Sequence, residues 1–385
     1  MLQQAGGPLA LIAAAGACAA DPLPCGGKGD AAAIRRGLRR GAETMAAMRV
    51  LRLPDSDVHL LGYPNMGLGA VAVAVTPFTD DPSGLHRTYA EDGDGDPATC
   101  DGDFGHRLSG RHSPLTAQAL AADLDALLAL ARPSDVYTHA GFDGHPDHRA
   151  VAAAVEAALA RSGLAGTVHA TLIHPEGSDA CMGPSAREWP GPPDAGDDPL
   201  ARFTPALAIG PPPLPPCGTG SRQASWGAAG PPDERVPVPE AMRRLRPEEN
   251  LKWQVLARYR SQIDCARDAS GRRHPSCGYL RAFVKRDEIF WTRPFGAGQA
   301  APGAVLVVAA HPDDEALGAA GVIAAARASG RRVVVAVVTN GDSAGGRPRA
   351  PAAPSASSSP TRGPRRSRSR PGRSHRRPRR ARSAR

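Results

Sequence analysis

Val305-Leu-Val-Val-Ala-Ala-His-Pro-Asp-Asp-Glu315 decides how this 385-residue chain folds: six small or branched apolar residues end abruptly at a histidine and three acids. An apolar run without alternation fits a parallel strand covered by helices on both faces. Ala316-Leu-Gly-Ala-Ala-Gly-Val-Ile-Ala-Ala-Ala-Arg327 then predicts a helix, Ser329-Gly330 stops it, and Arg332-Val-Val-Val-Ala-Val-Val-Thr339 predicts a second buried strand. The product is a βαβ unit within an α/β sheet. Ligands of such sheets sit beyond the carboxyl ends of the strands, where His311 to Glu315 fall.

The spacing of these residues carries chemistry. His311 and Asp314 are three apart on a turn entering a helix, so an imidazole and a carboxylate can converge on one cation, while Asp313 points elsewhere and is available as a base. The alternative is that the three acids only complement a helix N-terminus. A second motif upstream argues for the metal. Asp135-Val-Tyr-Thr-His139 reads as a strand, and after a glycine-bearing loop His145-Pro-Asp-His148 opens a helix running to Arg161, with Pro146 suited to its first turn. His145 and His148 therefore also stand at a strand's carboxyl end.

Together, Ala310-His-Pro-Asp-Asp-Glu315 and His145-Pro-Asp-His148 resemble the LmbE-like, N-acetylglucosaminyl-phosphatidylinositol de-N-acetylase (PIG-L) family of zinc-dependent deacetylases. The resemblance extends to Arg40-Gly-Ala-Glu43, Leu60 through Gly67, Tyr259-Arg-Ser-Gln262, and Gly278 through Phe290. It implies a Rossmann-like, mostly parallel sheet flanked by helices. It further implies Zn2+, or another divalent metal such as Fe2+, on His311, Asp314 and His148, with Asp313 as general base. His145 would stabilise the oxyanion or protonate the leaving amine, and Arg40 and Asn65 would contact the substrate. That substrate is an N-acetylated sugar conjugate, of N-acetylglucosamine, and acetate is released. Two departures stand out. Asn65 occupies a position where the family more often has Asp, and the HPDDE strand, which comes first in the family, comes last here.

Composition sets the remaining bounds. Fourteen of the 47 basic residues, all Arg, lie beyond Asp342 with no acid among them, leaving 33 basic against 38 acidic residues in the rest of the chain. The overall charge of +9 thus belongs to an Arg/Pro/Ser tail, which can associate with nucleic acid only non-specifically. Residues 343–385 carry too few apolar side chains to offset ordering entropy, predict disorder, and resemble an out-of-frame reading. The seven cysteines are too few for a disulfide scaffold, and no stretch reaches the ~20 apolar residues of a membrane span. Ala17-Cys-Ala19 resembles a cleavage site, yet no basic residue precedes it, which favours a cytoplasmic protein over an exported one.

The expected organisation is a leader or loop over 1–30, the C-terminal part of a deacetylase-like domain over 31–295, its N-terminal part over 296–342, and the tail. Within it, residues 31–48 predict an amphipathic helix, Asp57–Leu61 a strand, Leu115–Leu130 a helix and Val168–Ile173 a strand. Sixteen prolines between Pro184 and Pro247 predict an irregular insertion or lid, after which Glu248–Ile263 returns to helix. The two parts are expected to complete each other as in a circular permutant. Competing readings are two incomplete tandem domains without activity, and a nucleic-acid-associating protein; a dinucleotide-binding site is the weakest, because Gly318-Ala-Ala-Gly321 lies inside a helix. Nothing in the sequence fixes the oligomeric state.

Overall fold

A computed structural model describes residues 31–76, 103–110, 113–174, 232–263, 280, 283–298 and 302–341. The leader, the loop rich in acids from Glu91 to Cys100, most of the proline-rich insertion, all seven cysteines and the tail lie outside the described residues.

Seven strands form the sheet: β1 (Val58–Tyr63), β2 (Pro133–His139), β3 (Gly166–Thr171), β4 (Glu234–Pro237), β5 (Asp287–Phe295), β6 (Ala304–Ala309) and β7 (Val333–Thr339). Their spatial order is β1-β7-β6-β2-β3-β5-β4. The first five are parallel, and β5 and β4 add on antiparallel at one edge. Both strands of the downstream part therefore lie between β1 and β2 of the upstream part.

Eight helices accompany the strands among the described residues: α1 (Ala31–Val50), α2 (Leu68–Val71), α3 (Phe104–Ser109), α4 (Ala117–Ala131), α5 (Pro146–Ser162), α6 (Leu251–Leu256), α7 (Arg260–Ile263) and α8 (Asp314–Ala328). Strand residues alternate between two cores, as a period of two requires. Val305, Val307, Val333 and Val335 face a core shared with Met48, Leu256 and the α8 residues Leu317 and Ile323. Leu306, Val308, Val334 and Val338 face the other, with Leu124 and Leu127 of α4 and Val151 and Val155 of α5. All seven residues of β7 are buried, which explains its unbroken apolar sequence.

The crossover from β6 through α8 to β7 and that from β2 through α5 to β3 leave the centre in opposite directions and cover opposite faces. The switch point lies between β6 and β2, where such sheets place their ligands. Element boundaries follow local chemistry. Thr116 caps α4 by accepting from Ala119 N at 3.1 Å, and Gly163 ends α5 in the left-handed conformation. Two expectations change. Glu248–Ile263 is two short helices, α6 and α7, and the end of the proline-rich span contributes the strand β4, held by pairing to β5.

Candidate metal centre

The turn from β6 into α8 is tightly tied. His311 N–H donates to Asp314 Oδ2 at 2.9 Å, and Asp314 N–H to His311 O at 3.2 Å. Between them Asp313 adopts φ 129°, a left-handed value that a non-glycine residue holds only when its surroundings impose it. Those surroundings are visible. Asp313 N–H donates to Glu315 Oε2 at 3.1 Å, Glu315 accepts from the hydroxyl of Tyr259, and Gln262 Nε2 donates to Pro312 O at 2.8 Å. The strain sits on the residue whose carboxylate the sequence nominates as base.

Across the switch point, His145 caps α5 by accepting Asp147 N–H on Nδ1, and Pro146 occupies the first turn. This presents His148 from the first turn of α5, fully buried, to the β6–α8 turn. His148 Nε2 lies 3.1 Å from His311 Nδ1 and 3.1 Å from Asp314 Oδ2, and the latter two are also 3.1 Å apart. Three donor atoms, one from His148 and two from a turn that begins 163 residues later, thus form a triangle. Donors at bond lengths of ~2.0 to 2.1 Å and tetrahedral angles would lie about 3.3 Å apart, so the set fits a cation such as zinc. The far nitrogen of His311 lies 3.1 Å from Asp147 Oδ2, which also accepts Met66 N–H at 2.6 Å. A proton on Nε2 leaves the Nδ1 lone pair facing the centre.

Charge is partitioned sharply here. Burial opposes charging His148 and His311, but Asp314 and Asp143 outweigh it and hold His148 well above its usual range, while Asp147 and Asp314 hold His311 at about 9. Burial would raise Asp314, yet His148 and His139 keep it well below its usual value. Asp313 goes the other way: burial, then the Asp314 charge, push it well above, with Arg40 opposing. Burial and the neighbouring imidazoles His311 and His148 lower His145, keeping it neutral.

The seven residues singled out in the sequence distribute as follows. His311, Asp314 and His148 meet; the His145 ring centroid is 4.5 Å from that of His311 and 4.8 Å from that of His148. Arg40 packs on the end of β7, where a Cβ on Gly341 would lie 2.8 Å from its Cδ, and its charge reaches Asp313. Asn65 is buried in the turn after β1, one residue before the Met66 N–H that Asp147 binds. Sequence reading overlooked His139, Asp143, Asp147 and His174. His139 Nε2 accepts Ala310 N–H at 2.8 Å, which commits that lone pair, and the ring stacks on His148 at 3.8 Å. His174 lies 4.7 Å from the His148 ring, and its nearest ligand atom is within 4.8 Å of those of His148 and Asp314.

Fold and site together define an α/β protein with a buried His–His–Asp cluster of a kind able to hold a cation at its switch point and a carboxyl group beside it. The chain belongs to the PIG-L family, GlcNAc-PI de-N-acetylase, whose model matches residues 10–159 and 306–369, more than half of the chain. That family is one of metal-dependent de-N-acetylases acting on N-acetylglucosamine-containing substrates. Each matched segment carries one of the two motifs. Residues 160–305 lie outside the match, including Tyr259–Gln262 and Gly278–Phe290, and the match runs past Asp342 to residue 369. No curated protein and no solved structure matches the chain.

Proposed function

We propose that the chain hydrolyses the acetamide of an N-acetylglucosamine conjugate, with His148, His311 and Asp314 holding Zn2+. The observation that carries this reading is the 3.1 Å triangle of buried donor atoms. A divalent cation held there would lower the pKa of a water toward 7 and polarise the acetamide carbonyl.

The chain's own groups divide the proton work. Asp313 takes the proton of the attacking water as the new C–O bond forms, and its raised affinity for a proton suits it to deliver that proton to the departing nitrogen as the C–N bond breaks. Acetate and a free amine result. His145 has Nδ1 engaged by Asp147 N–H, which leaves Nε2–H as a donor. A neutral imidazole donor suits stabilisation of the oxyanion, so this role is preferred over protonation of the amine. Arg40 opposes the high proton affinity of Asp313 and, with Asn65, orients sugar hydroxyls at the strand ends.

Release of acetate from N-acetylglucosamine conjugates by the zinc-supplemented protein tests the reading. Zinc-dependent release that disappears on chelation supports it, and a zinc-loaded protein with no release from any such conjugate removes it.

A further inference from the structure

Asp143 is fully buried in the loop between β2 and α5, and among the described residues no Lys or Arg side chain is bonded to its carboxylate. Its oxygens are nonetheless filled. Oδ1 accepts His145 N–H at 2.9 Å and lies 3.2 Å from His148 Nδ1, while Oδ2 accepts Ile173 N–H at 2.9 Å and His174 N–H at 3.1 Å. Three of the four partners are backbone amides, which can only donate. A hydrogen on the carboxyl could be accepted by no partner except His148 Nδ1, and an imidazole nitrogen is the stronger base, so the group is a carboxylate and the fourth partner is a donor as well. That assigns the His148 proton to Nδ1.

The consequence reaches the metal centre. With Nδ1 committed to Asp143, Nε2, 3.1 Å from His311 Nδ1 and from Asp314 Oδ2, is the nitrogen whose lone pair a cation would take in place of a proton. Asp143 also sits among three histidines: it accepts from the backbone of His145 and His174 and lies beside the ring of His148. His139, Asp143 and His148 lie close enough together to resemble a second cation site. The bonding argues against it: Asp143 Oδ2 accepts two amides and Oδ1 a third, and His139 Nε2 is taken by Ala310 N–H.

We propose that Asp143 is a positioning residue for His148, an acceptor outside the coordination sphere that fixes the ring's tautomer and aims Nε2 at the cation. The proposal rests on the metal reading above and adds a residue to it. Carboxylates that hold ligating imidazoles in this way typically change metal affinity by 10- to 100-fold when removed. The 3.2 Å Nδ1 contact is an ion-pair distance without aligned hydrogen-bond geometry.

Two measurements on the full-length protein test this. Zinc is titrated against a chromogenic chelator into wild type and Asp143→Asn, with circular dichroism to confirm that the variant is folded. The expected result is dissociation about 10- to 100-fold weaker in the variant. Equal affinity in a folded variant overturns the assignment while leaving the metal reading intact, whereas a wild type that binds no zinc removes both. Should Asp143→Asn not fold, nitrogen-15 spectra of the imidazoles in zinc-loaded wild type decide. His148 should show a protonated, slowly exchanging Nδ1, a signature that a merely structural carboxylate would not produce. A His148 ring with an unprotonated or freely exchanging Nδ1 rejects the proposal.

Discussion

Asp313 and Asp314 are adjacent and both buried, yet the fold drives their proton affinities apart. Asp314 faces His148, His139 and His311 and is held ionised, the state a ligand needs; Asp313 faces Asp314 and Glu315, and burial with those charges outweighs Arg40 and His311 and raises its proton affinity. Paired carboxyls separated in this way divide the roles of charge and proton carrier. Asp313→Asn should therefore bind zinc as wild type does while losing about 10²- to 10⁴-fold in deacetylation, as expected for a general base. His148→Ala should lose zinc itself. Chelator competition and acetate release, measured on both variants, separate the roles; an Asp313→Asn protein that no longer binds zinc would make Asp313 a ligand. At this scale the sequence was readable where residue type and spacing coincide, in His311, Asp313, Asp314, His145 and His148. It was silent on Asp143, because three of its four partners are backbone amides and two of those lie 30 and 31 residues away. Asp147 was hidden differently: it stood inside a recognised motif, but its partners His311 and Met66 are set by tertiary packing.

Among the elements, α8 depends on a charge pair inside the core. Lys252 Nζ of α6 donates to Glu288 Oε1 of β5 at 2.7 Å and to Leu317 O at 3.0 Å, and Glu288 accepts the N–H groups of Gly321 and Val322. Gly321 permits this approach, since a Cβ there would fall 3.0 Å from Glu288 Oε2. Removing one member of such a pair strands the other, so Glu288→Gln should cost about 3 to 5 kcal/mol in urea unfolding. Adding Lys252→Met should restore most of it, and additive losses would show that the pair is not coupled. On the same side of the sheet, His169 of β3 sits between Asp135 of β2 and Glu234 of β4 and stacks on Tyr137, with Arg331 on Asp135. Burial opposes its charge, but the two carboxylates outweigh burial and raise its proton affinity. The protonated form thus binds more tightly when folded. Its contribution is complete below the unfolded value of ~6.5 and is lost as pH rises through the higher folded value. The melting temperature of wild type over His169→Gln should exceed zero at pH 6 and shrink toward alkaline pH; a gap that widens with pH would reverse the sign. Strands β6 and β7 were legible because both faces are buried and the apolar run is continuous. Strand β4 was not, because its Glu-Arg-Val-Pro sequence alternates between half-buried and exposed positions and pairing with β5 along one edge holds it.

For the whole molecule, the informative fact is the order of the sheet. The last two described strands are its middle: β6 and β7 fill the gap between β1 and β2, and without them those strands would have open edges and the donor set would lack His311 and Asp314. The motifs predicted this juxtaposition because each part held half of a ligand set. The positions of β4 and β5 were not predicted, since antiparallel edge strands leave no mark on the helix-and-strand alternation that reveals parallel units. If the family's motif order and the present order describe one fold cut at different places, then moving the downstream segment to the front should preserve the structure. The path is short. Arg40 packs on Gly341, and the nine-residue step from Arg40 back to Ala31 along α1 rises about 14 Å, within the ~33 Å that a ten-residue flexible linker can span. A chain running 302–341, linker, 31–298 should therefore fold, elute as the same species as the native order on size exclusion, and bind zinc with a dissociation constant within severalfold of the original. Zinc binding that appears only in a dimer would mean that the segment is exchanged between chains, and a soluble rearranged chain without zinc affinity would tie the centre to the native connection across Gly296–Gly303.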